Sequence, residues 1–265
     1  MSMTSRRLSG VAALVCALAA VLTLAAPVAA ITYGQPDQGR HPYVGATLNL
    51  FEGELVTWCS GTLISPTVFL TAAHCDLETS TMQVMFDDEL TGSTTIYTGT
   101  WVPNPRYRKA QSDPGDLALV IFPTPVTGIT PALLPTAGLL SRMKANGTLT
   151  QRTRFTSVGY GAQESTSAPG GHVLTYLDER EWSVQSFNSL GPGYLRLSQN
   201  PAHGDGGACY GDSGGPNFLG GGAGETRIVA ATTITGDAWC KSTNVAQRLD
   251  TVASRAFLSQ YVAVP

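Results

Sequence analysis

Three short segments of this 265-residue chain carry side chains that could act together in nucleophilic catalysis. His74 follows an apolar stretch, Asp116 begins a second apolar stretch, and Ser213 lies among glycines. A serine hydroxyl is a poor nucleophile at neutral pH unless an imidazole takes its proton. The imidazole in turn needs a carboxylate to hold its tautomer and to stabilise its transient charge. The three residue types therefore suit acyl-transfer chemistry.

The glycines around the serine suit a second requirement of that chemistry. The segment reads Gly211-Asp212-Ser213-Gly214-Gly215-Pro216. Because Gly211 has no side chain and glycines permit a tight turn, the N–H groups of Gly211 and Ser213 can point together at a developing oxyanion. Each such donor is worth roughly 3 to 4 kcal/mol. We therefore predict these two residues as an oxyanion hole.

Each of the three segments also has an ordinary structural explanation when taken alone. The histidine could be a hydrogen-bonded core residue, the acid a turn residue at the start of a strand, and the serine part of a flexible loop. All three together, in the order His, Asp, Ser, favour catalysis. That order excludes the α/β-hydrolase and subtilisin arrangements, whose chain orders differ.

Short β-strands are the elements predicted to position these residues. Ten β-rich segments are separated by Gly, Pro, Asn and Ser, at residues 44–50, 61–70, 82–86, 94–100, 117–122, 153–160, 173–184, 194–198, 227–234 and 244–249. This spacing favours a sandwich or barrels over βαβ units. A Pro- and Gly-rich stretch at 123–138 is interpreted as a linker. It divides the chain into two all-β halves, residues 31–135 with the histidine and acid and 136–265 with the serine.

The C-terminal segment has helical periodicity instead. Its apolar residues recur at three- and four-residue steps and share one helical face: Leu249, Val252, Ala253, Ala256, Phe257 and Tyr261. We predict an amphipathic helix that begins near Asp250 and packs on the fold. Membrane binding is disfavoured because the polar face lacks a cluster of Lys and Arg.

Composition places the chain among globular proteins. It is 43% hydrophobic and 13% charged with a net charge of −3, which excludes disorder. The sixteen Lys and Arg residues against nineteen Asp and Glu residues form no basic run, so we expect no nucleic-acid partner.

The first thirty residues are similar to a secretory signal peptide. Arg6 and Arg7 precede an apolar run, and Val28 and Ala30 satisfy the small-residue rule for cleavage after Ala30. The run is short for a membrane span and no second one follows, so a retained anchor is the less favoured alternative. Cleavage would leave fourteen basic and nineteen acidic side chains, a net charge of −5. We expect an extracellular, secreted protein that does not engage a membrane.

Cysteine usage agrees with export. Cleavage would remove Cys16 and leave Cys59, Cys75, Cys209 and Cys240, and an even number in an exported protein predicts two disulfides. Three pairings exist, of which 59–75 with 209–240 is favoured because each pair is close in the chain. No Cys-x-x-Cys or His-x-x-x-His spacing occurs, so we predict no metal.

Two further motifs have structural interpretations. The acidic run Asp87-Asp88-Glu89 is interpreted as a solvated turn rather than a calcium site. The Asn146-Gly147-Thr148 segment matches a glycosylation acceptor, but Asn-Gly is also a strong hairpin-turn signal, and the turn is favoured.

Taken together, the segments resemble those of the chymotrypsin-like (trypsin-like) serine proteases. The Thr71–Cys75 segment, Thr-Ala-Ala-His-Cys, and the Gly211–Pro216 segment match the family motifs completely. Ile31-Thr32-Tyr33-Gly34 resembles the family's mature amino terminus, and the 158–161 segment resembles the strand that opens its second barrel. The resemblance implies an all-β fold of two six-stranded antiparallel β-barrels, with the active site between them and a C-terminal α-helix.

The resemblance also implies a role for each site residue. His74 would be the general base and then the acid, Asp116 its orienting carboxylate, and Ser213 the nucleophile, with the two predicted donors as the oxyanion hole. The first disulfide would pin the histidine loop and the second would close the wall of the specificity pocket. In the family, the carboxylate at Asp212 pairs with the freed α-amino group of the mature terminus, here Ile31. Because signal cleavage itself would expose that group, we hypothesise that export alone yields an active enzyme.

The match is weaker at the first specificity pocket. Trypsin-type members carry an aspartate six residues before the nucleophile, where this chain has Gly207 followed by Ala208. Burying Arg or Lys without a counter-charge is costly, so we predict a neutral pocket for apolar or aromatic side chains. Two nearby acids, Asp205 and Asp237, leave the opposite preference open.

The substrate-binding strand also departs from the family, because its Ser-Trp-Gly motif is not reproduced. Thr233 and Ile234 stand in the corresponding stretch. Backbone pairing with an extended peptide would survive this change, whereas side-chain subsites need not.

These observations predict a secreted serine endopeptidase that hydrolyses peptide bonds through an acyl-enzyme. We expect it to act as a monomer on peptide or protein substrates, without a cofactor. The alternative is a catalytically weak, protease-shaped binding protein, which the presence of all three triad residues disfavours.

Overall fold

The described residues of the chain form fifteen β-strands and two short α-helices. The structure, a computed structural model, describes residues 31–108, 115–163, 166–168 and 171–265, so the predicted signal peptide lies outside the described residues. The strands of the first half are β1 (Gln35–Pro36), β2 (Val44–Phe51), β3 (Glu54–Ser65), β4 (Val68–Thr71), β5 (Thr81–Met85), β6 (Ile96–Pro103) and β7 (Ala118–Ile121). Those of the second half are β8 (Arg154–Gly159), β9 (Thr166–Ala168), β10 (Gly171–Val173), β11 (Glu181–Leu190), β12 (Tyr194–Ser198), β13 (Pro216–Leu219), β14 (Val229–Gly236) and β15 (Thr243–Arg248). The helices are α1 (Leu139–Ala145) and α2 (Val252–Leu258).

Strands β2 to β7 close the first barrel in the order β2-β3-β4-β7-β6-β5, and every pairing is antiparallel. Its core is filled by fully buried apolar side chains such as Phe69 and Leu119. A two-residue turn, Glu52-Gly53, joins β2 to β3 with φ values of 52° and 90°. Positive φ at both positions is typical of the tight turns that match strand twist, and glycine adopts it without strain.

The second barrel closes in the order β8-β11-β12-β15-β14-β13, with β13 returning to β8. Small apolar side chains such as Ala231 and Ala246 share its interior with a buried polar cluster. In that cluster the Asn244 amide donates to Gln185 and to Asn217 at 3.1 and 3.0 Å. The prediction of two six-stranded antiparallel barrels with a C-terminal helix is confirmed.

Several element boundaries differ from those predicted. The predicted strand 61–70 is a hairpin of β3 and β4, and the predicted strand 173–184 begins only at Glu181. Strand β13 and helix α1 were not predicted. The Asn146-Gly147 pair ends α1 instead of forming a hairpin turn, since Asn146 is its C-cap and Gly147 follows with φ 76°. A left-handed glycine after a helix satisfies its last carbonyls.

Helix α2 exists, but its buried face agrees with the predicted one only in part. Thr251 caps its first turn by accepting a hydrogen bond from the Ser254 N–H. The buried residues are Ser254, Phe257 and Leu258, whereas Val252 is 88% exposed. In so short a helix, the three- and four-residue spacing of apolar residues is compatible with either of two adjacent faces. Burial of the Ser254 hydroxyl is tolerated because it donates a hydrogen bond to the Arg248 carbonyl at 2.6 Å.

The segment that precedes the first barrel is bound to the second. Strand β1 pairs with β11, and Thr32 pairs with Gly207. The Thr32 hydroxyl lies 3.0 Å from the Gly207 carbonyl and 2.9 Å from that of Cys240. The first described residues are therefore fixed beside the loops that flank the serine.

A buried ionic network lies beneath this segment. The Arg180 guanidinium donates to Asp37 at 2.8 Å and to the Tyr160 hydroxyl at 3.0 Å, and it also pairs with Asp88. The predicted solvated acidic turn thus supplies one carboxylate to a buried arginine. A buried charge requires such partners because desolvation is costly.

His41 extends the network and is fully buried. Its Nδ1 contacts Asp37, and its Nε2 lies 2.8 Å from Glu225. The ring also stacks on Phe218 with a centroid separation of 5.7 Å.

Among the described residues, no helix is long and apolar enough to cross a membrane.

Candidate active site

Barrel pairing brings the predicted base and its carboxylate together. His74 lies in a 3-10 turn immediately after β4, and Asp116 lies two residues before β7, the strand that pairs with β4. The Asp116 Oδ2 is 2.7 Å from His74 Nδ1, and its Oδ1 accepts the His74 backbone N–H at 3.0 Å. This arrangement holds the ring, because the protonated Nδ1 donates a hydrogen bond to the carboxylate. Nε2 is then the unprotonated nitrogen that can accept a proton.

The loop that carries Ser213 is held by the first barrel. The Ser60 N–H, on β3, donates to the Ser213 carbonyl at 2.9 Å, and the Ser60 hydroxyl donates to the Gly211 carbonyl at 3.0 Å. The same hydroxyl accepts the Tyr160 N–H at 2.9 Å. Ser213 and His74 line the same two clefts, so residues from both barrels meet at the interface between them.

The predicted oxyanion donors have a glycine-specific backbone conformation at Gly211 and N–H groups that are available to a ligand. Gly211 has φ 95°, a conformation that a side chain would strain, and a Cβ there would meet the Gly161 Cα at 2.9 Å. Within the described part of the chain, the N–H groups of Gly211 and Ser213 donate to no acceptor. Two N–H groups without partners beside a serine hydroxyl are suited to bind a negatively charged oxygen.

Asp212 is a buried carboxylate that accepts hydrogen bonds but forms no ion pair with a basic side chain among the described residues. Its oxygens accept the N–H groups of Gly161 and Cys209 at 2.9 and 2.8 Å. Burial raises the pKa of this carboxyl to about 7, although the two hydrogen bonds act in the opposite direction. Among the described residues, no cation therefore holds this group ionised.

Ile31, the predicted partner of Asp212, is fully buried. It directly precedes Thr32, which is bound to the second barrel. Among the described residues, no contact between Ile31 and Asp212 is seen. With residue 30 still attached, the Ile31 nitrogen is an amide, which has no charge to offer.

Both favoured disulfides are present in the structure. Cys59 is bonded to Cys75 with an S–S distance of 1.99 Å, and Cys209 to Cys240 with 2.09 Å. The first lies next to His74, and its two sulfurs with that ring form a group within 4.8 Å. Because both sulfurs are in a disulfide, this group does not have the thiolates that a metal site needs.

The first cleft contains most of the predicted substrate-binding residues. It has a volume of about 420 Å³ and is lined by Ala208, Thr233 and Ile234 together with His74 and Ser213. The structure does not place Gly207 in this lining. The backbone of Gly207 pairs with Thr32, and a Cβ there would lie 2.0 Å from Gln199 Oε1.

The two acids near this cleft have different surroundings. Asp205 is buried and accepts hydrogen bonds from Arg154 at 2.5 Å and Ser186 at 2.6 Å, away from the cleft lining. Asp237 lines the cleft, and its Oδ1 accepts the N–H groups of Ser242 and Thr243 at 2.8 and 2.7 Å. These backbone bonds lower the pKa of Asp237, against the effect of burial. Asp237 is therefore an ionised group whose charge is stabilised by its own loop.

A second cleft, which has aromatic walls and lies beside Ser213, was not predicted from the sequence. It has a volume of about 700 Å³ and shares His74, Tyr210 and Ser213 with the first cleft. Trp58 and Tyr176 contribute further aromatic walls. The sequence signal for these aromatic residues is that two of them adjoin disulfide cysteines, since Trp58 precedes Cys59 and Tyr210 follows Cys209.

Comparison with known families agrees with the fold. A family model described as Trypsin matches residues 31–255, which covers most of the chain. The match includes both barrels and every residue of the site described above. The chain therefore belongs to the trypsin family of serine protease hydrolases.

Proposed function

We propose that this chain is a secreted serine endopeptidase that cleaves peptide bonds through an acyl-enzyme. The observation that carries the proposal is the 2.7 Å contact between His74 and Asp116 in a cleft that Ser213 also lines. Catalysis needs a base whose tautomer is fixed and a nucleophile within its reach.

In the proposed mechanism, Ser213 Oγ attacks the carbonyl carbon of the substrate and gives its proton to His74 Nε2. The N–H groups of Gly211 and Ser213 stabilise the oxyanion. His74 then protonates the departing amine, and water repeats the sequence to release the acid. Asp116 keeps the ring oriented and stabilises its positive charge.

Activation would depend on the new amino terminus. Cleavage after Ala30 would convert the Ile31 amide nitrogen into a cation that can enter the buried site of Asp212. The raised pKa of that carboxyl supports this, because a buried acid without a counter-charge is destabilised in its ionised form. Active protein that begins at another residue would contradict this part of the proposal, and amino-terminal sequencing of the secreted product tests it.

The first pocket is proposed to prefer neutral, apolar side chains. Asp205 is engaged by an arginine and a serine, and the Asp237 carboxylate is engaged by backbone N–H groups. Digestion of a peptide library gives the preference directly. Strong selection of Arg or Lys would contradict it and would implicate Asp237, which Asp237→Asn would then test.

Secretion and a monomeric state belong to the same proposal. A trypsin-family domain with two disulfides is typical of secreted proteins. We expect the mature protein to be monomeric and to act on peptides or proteins without a cofactor.

Labelling with a fluorophosphonate probe tests the proposed function. The mature protein is expected to be labelled, and Ser213→Ala is expected to abolish labelling without changing the melting temperature. A folded protein that neither reacts with the probe nor digests peptides would instead be the protease-shaped binding protein.

A further inference from the structure

Ser60 of β3 is bound to the second barrel through both its backbone and its side chain, and it is fully buried. Its N–H donates to the Ser213 carbonyl at 2.9 Å, and its hydroxyl donates to the Gly211 carbonyl at 3.0 Å. The same hydroxyl oxygen accepts the Tyr160 N–H at 2.9 Å. One residue of the first barrel therefore holds two carbonyls of the loop that carries the proposed nucleophile.

The direction of the hydrogen bonds at the Ser60 hydroxyl is fixed by its two partners. A backbone N–H can only donate and a carbonyl can only accept, so the single hydroxyl proton is directed to Gly211 while a lone pair faces Tyr160. The three groups form a relay in which each hydrogen bond strengthens the next. Loss of the hydroxyl would leave one buried donor and one acceptor without a partner, which is costly.

The Ser60 side chain is closely enclosed by the second barrel. A Cβ on Gly159 would lie 2.7 Å from Ser60 Oγ, and one on Gly215 would lie 3.2 Å from Ser60 Cβ. The backbone of the second barrel therefore packs directly against this side chain. Removal of the hydroxyl alone leaves a space smaller than a water molecule, so no water takes its place.

These bonds act on the peptide groups that surround the proposed oxyanion hole. The Gly211 carbonyl belongs to the same peptide as the Asp212 N–H, which donates to the Cys209 carbonyl at 3.0 Å. This peptide is thus held at both ends. Gly211 has φ 95° and no side chain to restrict its rotation. The direction of its own N–H therefore depends on how its carbonyl is anchored.

We propose that Ser60 is a positioning residue for the oxyanion hole and acts through the hydrogen bond from its hydroxyl to the Gly211 carbonyl. This inference rests on the proposed function. The linings of the two clefts that Ser213 shares do not include Ser60, so it acts through the loop and not on the substrate. Its effect belongs to the transition state, in which the carbonyl oxygen of the substrate becomes negatively charged.

Ser60→Ala in the mature enzyme tests the role of the hydroxyl, because it keeps the backbone bond to Ser213. With the peptide that the library digestion selects, we expect kcat to fall by about tenfold to a hundredfold, since the oxyanion donors are misaligned rather than lost. KM should change by less than about twofold, because the residues that line the clefts are untouched.

Two inhibitors separate the transition state from the ground state. With a peptide aldehyde of the preferred sequence, Ser213 Oγ bonds to the aldehyde carbon and the serine proton passes to His74. The former carbonyl oxygen then carries the negative charge in the oxyanion hole. The corresponding peptide alcohol has no carbonyl and forms no such bond. We expect Ser60→Ala to weaken aldehyde inhibition by the same factor as kcat/KM and to leave the affinity for the alcohol unchanged.

Thr62→Val is the matched control on the same strand. Thr62 is buried, and within the described part of the chain its hydroxyl has no hydrogen-bond partner. Because valine and threonine have nearly the same shape, this variant should keep the wild-type kcat and both inhibition constants. The pH at which kcat/KM falls to half its maximum should also be unchanged in Ser60→Ala, since the contact between His74 and Asp116 is not altered.

Ser60→Cys covers the case in which Ser60→Ala does not fold. Its thiol fills the site but is a weak donor, so kcat and aldehyde affinity are expected to fall together, by about threefold or more. Peptide mapping verifies that both native disulfides are kept in this variant.

The outcomes that would overturn the inference are distinguishable from failure of the proposed function. A folded Ser60→Ala or Ser60→Cys enzyme with the wild-type kcat would refute the role of the hydroxyl and leave the proposed function intact. Equal weakening of aldehyde and alcohol binding would also refute it, because the whole site would then be distorted. A wild-type protein that forms no acyl-enzyme and does not bind the aldehyde would refute both.

Discussion

At the scale of single residues, the contact between Asp116 and His74 determines how the imidazole can act. The carboxylate accepts hydrogen bonds from Nδ1–H and from the backbone N–H of the same histidine. It therefore fixes both the orientation of the ring and the position of the loop. An amide in its place could donate to Nδ1 and would then favour the wrong tautomer.

Asp116→Asn is therefore expected to lower kcat by about 10⁴-fold with little change in KM. The measurement is steady-state hydrolysis of a peptide substrate. The variant should still unfold near the wild-type temperature, which distinguishes a tautomer effect from misfolding. A loss of less than about tenfold would mean that the carboxylate does not orient the base.

Asp212 provides a pH-dependent test at the same scale. Its folded pKa of about 7 lies above the ordinary value of an aspartate, so its contribution to stability is complete below about pH 4 and is lost as the pH rises through 7. In a Ser213→Ala chain that retains residue 30, the loss between these pH values is expected to reach about 4 kcal/mol. The measurement is the free energy of unfolding against pH.

Two controls accompany this measurement. Asp212→Asn should remove the pH-dependent part of the loss, whatever its effect on overall stability. A chain that begins at Ile31 should also lose less, because its terminal amine supplies the missing counter-charge. Parallel pH curves for all three proteins would contradict the assigned role of Asp212.

At the scale of elements, helix α2 is stabilised by the few side chains that it buries. Phe257 is buried, whereas Val252 on the same helix is 88% exposed. Phe257→Ala is expected to lower the free energy of unfolding by about 3 to 5 kcal/mol, since it creates a cavity. The matched variant Val252→Ala should change it by less than about 0.5 kcal/mol.

Urea denaturation of the two variants tests this assignment. Comparably large losses for both variants would restore the face that periodicity predicted, in which Val252 and Phe257 are both buried.

The two disulfides are buried and cross-link segments that flank the site. They close sequence separations of 16 and 31 residues. Replacing either pair by serine is expected to lower the free energy of unfolding by about 3 to 4 kcal/mol, mainly by freeing the unfolded chain. Only the replacement of Cys59 and Cys75, next to the histidine turn, should also lower kcat. Equal effects of the two replacements on kcat would contradict this distinction.

The elements also show why the sequence predicted some features and not others. The apolar strands and the motifs around His74 and Ser213 are local patterns, so the barrels and the grouping of site residues could be predicted. The β-bulge at Trp58 in β3 depends on the partner strand β2, and the position of Gly207 depends on its pairing with Thr32, so neither has a local signal. Helix α1 was missed because it begins directly after a Pro- and Gly-rich stretch that was interpreted as a linker.

At the scale of the whole molecule, the buried network of His41, Asp37, Glu225 and Arg180 joins the amino-terminal segment to the second barrel. Against the effect of burial, the hydrogen bonds that His41 donates to the two carboxylates raise the pKa of His41 and lower the pKa values of Asp37 and Glu225. Protonated His41 therefore stabilises the fold fully below about pH 6.5, and this contribution is lost as the pH rises through its raised value. The carboxylates contribute above about pH 4.5 and lose their contribution as the pH falls.

His41→Asn should accordingly cost most near pH 5 to 6 and less at alkaline pH. The measurement is the difference in melting temperature between wild type and variant across pH. Replacing Arg180 by Ala should cost about 3 to 5 kcal/mol at neutral pH, because it leaves buried carboxylates without their partner. Arg40→Ala, whose side chain is partly exposed, should cost less than about 1 kcal/mol.

The attachment of Thr32 to residues far along the chain limits when the amino-terminal segment can reach its folded position. Its hydroxyl reaches carbonyls that lie 175 and 208 residues further on. A nascent polypeptide has to be synthesised almost to completion before those acceptors exist, and contacts of such long sequence separation form slowly. The proposed proteolytic activity would consequently arise only at the end of biosynthesis, when little unfinished chain remains to be damaged by it.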